Sequence, residues 1–580
     1  MKPIRILIFF AAVASVLLGI SLLVPPDGIR LTNDLYLRFF NPSAFLAQDT
    51  IQYADLSGLV SLSEITSDPE SFRHSEIRIV TDTAVPVLSA EPTGESPREG
   101  MPVREEVPAT REHTPDRIHE AGKNARPTLP ENKEVVRILN VDSLQQSVRP
   151  LELTDEGRHL LFGFFETVDR VRLGERDQVR ILHYGDSQIE SDRMTSLIRH
   201  RFQEVFGGYG CGLVAAVPLY AGNPAFTARP YGDFRRFTVF GKRDAAVNHN
   251  AYGVLGCYTA LPRPEQGELP ALEYRFIKDR QASRFDRVKL YLHSYAESGR
   301  IIFRVNDHRS DTLHLAKGGF SILNYTPDTL VKKLFLQFDL EQGGRLYGIS
   351  FESERGIQMD NIAMRGSSGL VFTRMDPKLL GDMVADLGVG LLILQFGGNV
   401  VPYINNGRYY YDTFTREIEY LKQVFPGVPM IVVGPSDMSV RENGRYVTHP
   451  KLVPVRNALR QAAMDSGLIF WDLFEAMGGY NSMPSFVHSD PPLARPDYIH
   501  FSYGGANFMA EMFYNALMLE YGKYKEGERL QAARLSMASA GETIANRQSP
   551  IANRQSPIAN RQSPIASSQC QSPMPIANRQ

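Results

Sequence analysis

A serine, a carboxylate and an imidazole occupy places in this chain from which side chains of these types can carry out acyl transfer. Ser187 sits in Gly185-Asp186-Ser187-Gln188, directly after the apolar run Val179 to Tyr184. That run has the length and content of a buried strand. Asp497 and His500 stand three residues apart, just before a helical pattern near the end of the folded part. A serine hydroxyl is a weak nucleophile until a base takes its proton and a third group orients that base. Candidates for all three roles are present. Each has a plainer reading: serine favours turns and helix N-caps, and a histidine at a helix start is ordinarily a loop residue. Their joint occurrence favours the chemistry.

Other catalytic and cofactor signals fail on type or context. There is no Gly-x-Ser-x-Gly elbow and no His-Glu-x-x-His zinc helix. The glycines of Gly208-Tyr209-Gly210-Cys211-Gly212 follow a helical stretch, 191–205, rather than a strand, which excludes a dinucleotide fingerprint. No His, Cys and Asp cluster has metal-ligand spacing. The expectation is an enzyme with no cofactor and no metal. His183, inside the first strand, reads as a core histidine. Asp186 and Gln188 read as helix-start residues that hold the serine loop. Ser191-Asp192-Arg193 lies close to the nucleophile and receives no chemical role.

Three blocks in order carry a resemblance. Gly185-Asp186-Ser187 at a strand end, Gly397-Gly398-Asn399 after the strand Leu391 to Phe396, and Asp497-x-x-His500 before a C-terminal helix resemble blocks I, III and V of the SGNH (GDSL) hydrolase superfamily. The resemblance implies that Ser187 is the nucleophile and that His500 is the general base and then the general acid. It implies that Asp497 orients the imidazole and stabilises its charged form. It also implies an oxyanion hole made by the backbone N–H of Ser187, the backbone N–H of a block II glycine and the side-chain amide of Asn399. Gly366 is placed in the block II role, because Asp360 to Gly369 resembles the family's strand-then-glycine pattern. Aimed donors of this kind are worth about 3–4 kcal/mol each in the transition state. As plain structure, Asn399 and Gly366 are turn residues.

The elements around these blocks read as follows. Leu151 to Val171 has a helical pattern with Leu160, Leu161, Phe164, Phe165 and Val168 on one face. Strand 178–184, the serine turn and helix 191–205 come next. Residues 213–356 then read as β, with alternation in Arg287 to His293, Gly299 to Val305, Leu334 to Phe338 and Leu346 to Phe351. The α/β pattern resumes with helix 376–388, strand 390–396, helix 408–425, strand 428–433, helix 450–466, strand 468–472 and helix 504–521. The fold class is therefore α/β. The resemblance implies an SGNH-type three-layer α/β/α parallel sheet; the alternating strands of 213–356 read as an inserted β-sandwich domain, and the apolar run near the N-terminus reads as a transmembrane anchor. In such sheets the site lies beyond the carboxyl ends of the strands, where blocks I and III fall.

Lys2 and Arg5 precede Ile6 to Val24, an uncharged run of 19 residues, about the length that spans a bilayer. The reading is an uncleaved signal anchor in 1–27, its positive end in the cytoplasm and the rest of the chain on the periplasmic side of the inner membrane. A cleaved signal would give a secreted protein instead. Residues 28–67 read as a juxtamembrane segment, and 68–147, rich in Pro, Glu, Arg and Thr, as a disordered linker. The hydrolase domain is placed in 148–212 and 357–525, split by the insert 213–356. In 526–580 the seven-residue unit Ile544 to Pro550 repeats, and its proline excludes a coiled coil. That tail reads as disordered.

The net charge of −2 over 580 residues gives no basic excess for nucleic acid. Of three cysteines, Cys570 lies in the tail, which leaves Cys211–Cys257 as the one available pairing; sequence does not decide it. Anchor, core and insert together resemble bacterial SGNH enzymes that act on O-acetyl groups of cell-envelope polysaccharides, including peptidoglycan O-acetylesterases. The implied partner is an acylated polysaccharide. An O-acetyltransferase working with a membrane acyltransferase would carry the same triad. A non-catalytic polysaccharide-binding module would use the insert alone. A lipase would share the triad too, but no acyl-chain lid is apparent.

Overall fold

The computed structural model describes residues 148–547, apart from 219–221, 266–267 and 308, with side-chain surroundings as far as 531. It also describes the paired strands Ile29–Arg30 and Tyr36–Leu37. The expected signal anchor, the linker 68–147, most of 28–67 and the repeats from 548 onward lie outside the described residues. Among the described residues no helix is long and apolar enough to cross a membrane.

The chain divides into two compact units, Met1–Lys523 and Tyr524–Gln580. The first is built on a six-stranded sheet in the order 356–363, 178–185, 389–395, 430–433, 469–471, 152–153. The first five strands are parallel and the two-residue edge strand is antiparallel. Numbered along the chain, the parallel strands run 2-1-3-4-5. The strand order therefore reverses beside Gln178–Gly185, the place where such sheets open a crevice.

Both faces of this sheet are covered, which is why its strands read as continuous apolar runs. Leu182, Tyr184, Leu392, Leu394, Val432 and Phe470 share one core with helices Pro377–Leu387, Gly407–Val424 and Leu452–Asp465. On the other face lie helix Asp155–Arg172, helix Thr195–Phe206 and the start of helix Tyr503–Arg547. Edge-on ring pairs Phe165–Tyr521, Phe202–Tyr514 and Trp471–Phe513 join them. Gly390 admits this helix layer closely, since a Cβ there would meet Val179 at 2.4 Å and Phe164 at 3.2 Å. Helices Asp155–Arg172, Pro377–Leu387 and Gly407–Val424 start on side-chain caps: Thr154, Asp376 and Asn406 accept from Gly157, Leu379 and Arg408 N–H.

The chain between strands Gln178–Gly185 and Gly356–Ala363 also forms two antiparallel sheets. One runs 319–325, 287–294, 344–352, 257–261, 235–238, with 212–214 also on 344–352. The other runs 309–315, 299–305, 333–339, 271–276, 226–231. Leu290, Leu292, Ile349 and Phe351 of the first pack with Leu272, Ile301, Phe303 and Leu336 of the second, a sandwich core. The opposite face of the first sheet sends Tyr258, Tyr291 and Tyr347 into the core that holds Tyr184, Ile362 and Met383. A buried ion network pins the same seam. Arg180 pairs with Asp360 at 2.7 Å and with Glu352, and Glu352 also meets Arg287 at 2.9 Å. Removing one partner would leave a buried charge uncompensated, a cost of about 3–5 kcal/mol.

Several elements differ from the sequence reading. The helix expected from Leu151 starts at Asp155, because Glu152–Leu153 pairs with Ile469 and Phe470 as an edge strand. The helix expected over 191–205 begins at Thr195. Ser187–Asp192 is 3₁₀-like but kinked at Glu190 and Ser191, and Ser191, Asp192 and Met194 take φ of 59°, 63° and 58°. Strained residues of this kind persist only where surrounding contacts fix them, and Arg199 holds Asp192 with two bonds of 2.7 and 2.8 Å. The last helix crosses the boundary expected at 525 and runs to Arg547. Residues 526–547 are rich in Ala, Glu and Arg and contain no proline, a composition in which a helix continues. Cys211 and Cys257 are both free, buried thiols, each pushed up to about 12 by burial.

Candidate active site

Ser187 leaves the carboxyl end of strand Gln178–Gly185 between its two parallel neighbours. Ala363 is in register with Gly185, Met364 N–H donates to Gly185 O at 2.7 Å, and Asp186 N–H donates to Gln395 O at 3.2 Å. The serine turn is thus pinned to the strands on both sides. His500 Nε2 lies 2.8 Å from Ser187 Oγ, and His500 Nδ1 lies 2.9 Å from Asp497 Oδ2. An ionised carboxylate only accepts, so Nδ1 carries the proton and the Nε2 lone pair faces the serine hydroxyl. The three residues singled out in the sequence are brought together in one relay.

The loop that carries the imidazole is held by its own carboxylate. Asp497 Oδ1 accepts from the N–H groups of Ile499 and His500, each at 3.0 Å. Burial pushes the Asp497 carboxyl up, but the His500 N–H, the imidazole and the Ile499 N–H outweigh it, and the group stays below the usual carboxylate range. It therefore remains charged beside the imidazole near neutral pH. Tyr498 between them takes φ of 56°. Its ring stacks on Tyr446 with centroids 3.6 Å apart, and its carbonyl accepts from Ser439 N–H at 2.9 Å. Tyr446 belongs to the hairpin Ser439–Glu442 and Arg445–Thr448. The sequence reading did not find this hairpin, although Asn443-Gly444 between two alternating runs is a strong hairpin signal.

Asn399 and Gly366 lie on the turns that leave the two neighbouring strands. Asn399 Nδ2 donates to Asp186 Oδ2 at 3.1 Å and to Ser367 O at 3.2 Å, so one amide touches the serine turn and the Gly366 turn. Gly366 takes φ of 75°, a left-handed conformation suited to glycine, in a turn closed by Ser367 N–H to Met364 O. Arg365 beside it pairs with Glu190 at 3.0 Å. Burial pushes Asp186 up to about 6 against the pull of the Gln188 N–H, His500, Asn399 and Arg193. Arg193, given no role from sequence, wraps the serine turn: it donates to the carbonyls of Ser187, Glu190 and Phe501. Nothing local in the sequence marks it, because Phe501 lies 308 residues away.

His183 is fully buried, with both ring nitrogens bonded, to Gln395 at 3.1 Å and Thr195 at 2.9 Å, and burial holds it down to about 4. It is a neutral core residue. Among the described residues no group of three His, Cys, Asp or Glu side chains could hold a metal.

A second buried carboxylate sits at the end of strand Met430–Val433. Asp437 accepts from Met483 N–H at 2.8 Å and Ser482 Oγ at 3.4 Å, and burial pushes it up to about 6. Its folded-state value lies above its ordinary 3.8, so the native state binds this proton more tightly than the unfolded chain does. Its effect on stability is lost progressively as pH rises from about 4 to about 6. Asp437→Asn cannot ionise. Relative to wild type, the variant is expected to gain about 2 kcal/mol between pH 4 and pH 7. Urea unfolding of both proteins at the two pH values measures this; a difference independent of pH would refute it.

No protein-family model matches the chain, and no curated protein sequence matches it. Among solved structures the fold is similar to that of a peptidoglycan O-acetylesterase, with a TM-score of 0.50 and 21% identity, over 61% of this chain and 95% of that one. An acetyl xylan esterase aligns with a TM-score of 0.23 and 16% identity, over 28% of this chain and 81% of that one. A family two carbohydrate esterase from Clostridium thermocellum aligns with a TM-score of 0.20 and 10% identity, over 48% and 97%. Of these three, the first likeness extends to the architecture, and at that identity it is a likeness of fold. The chain resembles the SGNH hydrolases in fold.

Proposed function

We propose that this chain is a serine esterase that removes O-acetyl groups from a cell-envelope polysaccharide. The observation that carries the reading is the relay Ser187 Oγ to His500 Nε2 to Asp497, at 2.8 and 2.9 Å, beside the strand where the sheet order reverses. The substrate class is supported by the likeness of fold to a peptidoglycan O-acetylesterase.

In the proposed reaction His500 Nε2 takes the Ser187 proton as Oγ attacks the acetyl carbonyl carbon. Negative charge moves to the carbonyl oxygen, where the N–H groups of Ser187 and Gly366 and the Asn399 amide receive it. Asn399 exchanges one of its present bonds, to Asp186 or Ser367, for the oxyanion. The protonated His500 gives its proton to the departing sugar oxygen, which leaves as an alcohol. Water, deprotonated by the same imidazole, then attacks the acetyl-serine, and acetate leaves as Ser187 recovers its proton. Asp497 stabilises the imidazolium in both halves. We also propose that Ile6 to Val24 anchors the enzyme on the periplasmic side of the inner membrane, where such a polymer is met.

The test is acetate release by the full chain from O-acetylated peptidoglycan and from acetylated xylan, with Ser187→Ala as control. The expected result is serine-dependent acetate from the peptidoglycan. Acetate from xylan alone would move the substrate to another polymer. Acetyl transferred to an added sugar hydroxyl without free acetate would make the enzyme a transferase. No acetyl loss from either polymer would contradict the proposal.

A further inference from the structure

Gln188, the residue after the nucleophile, is buried, and its carboxamide reaches across the site. Its Nε2 donates to Ile499 O at 2.7 Å and to Ser436 Oγ at 2.9 Å. Its Oε1 accepts from Phe501 N–H at 3.4 Å. Ile499 and Phe501 are the immediate neighbours of His500. One side chain thus grips the backbone on both sides of the imidazole, as an adjacent strand would. The carbonyl can only accept and the N–H can only donate, so these partners fix which way the amide faces.

The near end of the tether is also fixed. Gln188 N–H donates to Asp186 Oδ1 at 3.0 Å, which locks the backbone on either side of Ser187. The rest of the imidazole loop is held mostly from within. Asp497 binds two of its N–H groups, and Arg495 N–H donates to His500 O at 2.8 Å. These local bonds shape the loop but do not say how far it stands from the serine. Across the gap run the Gln188 bonds and the Arg193 contacts to Ser187 O and Phe501 O. Those from Gln188 flank the imidazole itself.

We propose that Gln188 is a positioning residue, which sets the spacing between Ser187 Oγ and His500 Nε2 by tying the imidazole loop to the serine turn. The inference rests on the esterase reading. A displacement of about 1 Å at such a pair can cost on the order of 10²-fold in rate.

The test uses the full chain with Gln188→Met, which keeps the length and loses every side-chain hydrogen bond, and Gln188→Glu, which keeps the shape and loses the side-chain donors. Both are expected to lower kcat for p-nitrophenyl acetate by about 10- to 100-fold, with KM within about twofold of wild type. Titration of Ser187 with a fluorophosphonate is expected to reach the wild-type end point, only more slowly. An unchanged kcat in a folded variant would overturn the proposal. So would activity lost only in proportion to titratable sites, because that is a stability effect. If one variant fails to fold, the other decides; if both fail, Gln188 serves folding alone and the proposal falls. A wild type that neither turns over nor labels would instead sink the esterase reading, before any variant is compared.

Discussion

Ser187→Ala is expected to lower kcat for p-nitrophenyl acetate by about 10⁴-fold or more while leaving a folded protein. The alanine removes the atom that lies 2.8 Å from His500 Nε2 and that attacks the carbonyl in the proposed reaction. What remains is the oxyanion site and a base with nothing to activate but water. The serine side chain makes this one bond to a half-exposed partner, so its loss costs the fold about 1 kcal/mol or less. Thermal melting and initial rates on the same preparation check both halves. A variant with more than about a tenth of wild-type turnover would mean that another residue attacks.

Asp497→Asn is expected to lower kcat by about 10³-fold with little change in KM. The argument turns on the tautomer. In the wild type the Nδ1 proton points at Asp497 Oδ2, 2.9 Å away, and leaves Nε2 free to accept. In the variant the amide oxygen is retained by the N–H groups of Ile499 and His500, which now bond Oδ1 at 3.0 Å. The amide NH₂ is left facing Nδ1 and can only donate. The imidazole proton is then driven to Nε2, where it blocks the serine. Asp497 is exposed, so water competes for Nδ1 and tempers the loss. The backbone bonds survive, so the loop keeps its shape and the deficit falls on kcat. Steady-state kinetics of the variant decide it; a rise in KM alone would place Asp497 in substrate binding.

Most of the parallel sheet was legible because its strands are apolar runs bounded by helical patterns. Val179 to Tyr184 and Leu391 to Phe396 are read directly, and the polar residues after each run mark the site. Ser187, Asp497 and His500, which the fold brings together, were legible as candidates because two of them are three residues apart and the third follows a strand. What sequence did not show depends on distant partners. Glu152–Leu153 is too short to have a period, and only Ile469 and Phe470 make it a strand. The onset of helix Thr195–Phe206 is delayed by backbone strain that Arg199 and Asp192 hold in place. Arg180, Glu352 and Asp360 are ordinary charges in their own segments and become a buried network only where the two sheets meet. Gln188 and Arg193 reach partners more than 240 residues away, so their part in the site is visible only in the folded chain.

The central claim is that Ser187 carries the acetyl group between donor and water. Acid quenching of the full chain during turnover of p-nitrophenyl acetate, followed by intact mass measurement and peptide mapping, tests it most directly. The account predicts one acetyl group per chain, mapped to Ser187, formed in the wild type and absent from Ser187→Ala. Turnover with the acetyl group on another residue, or undiminished turnover in Ser187→Ala with no adduct, would contradict it.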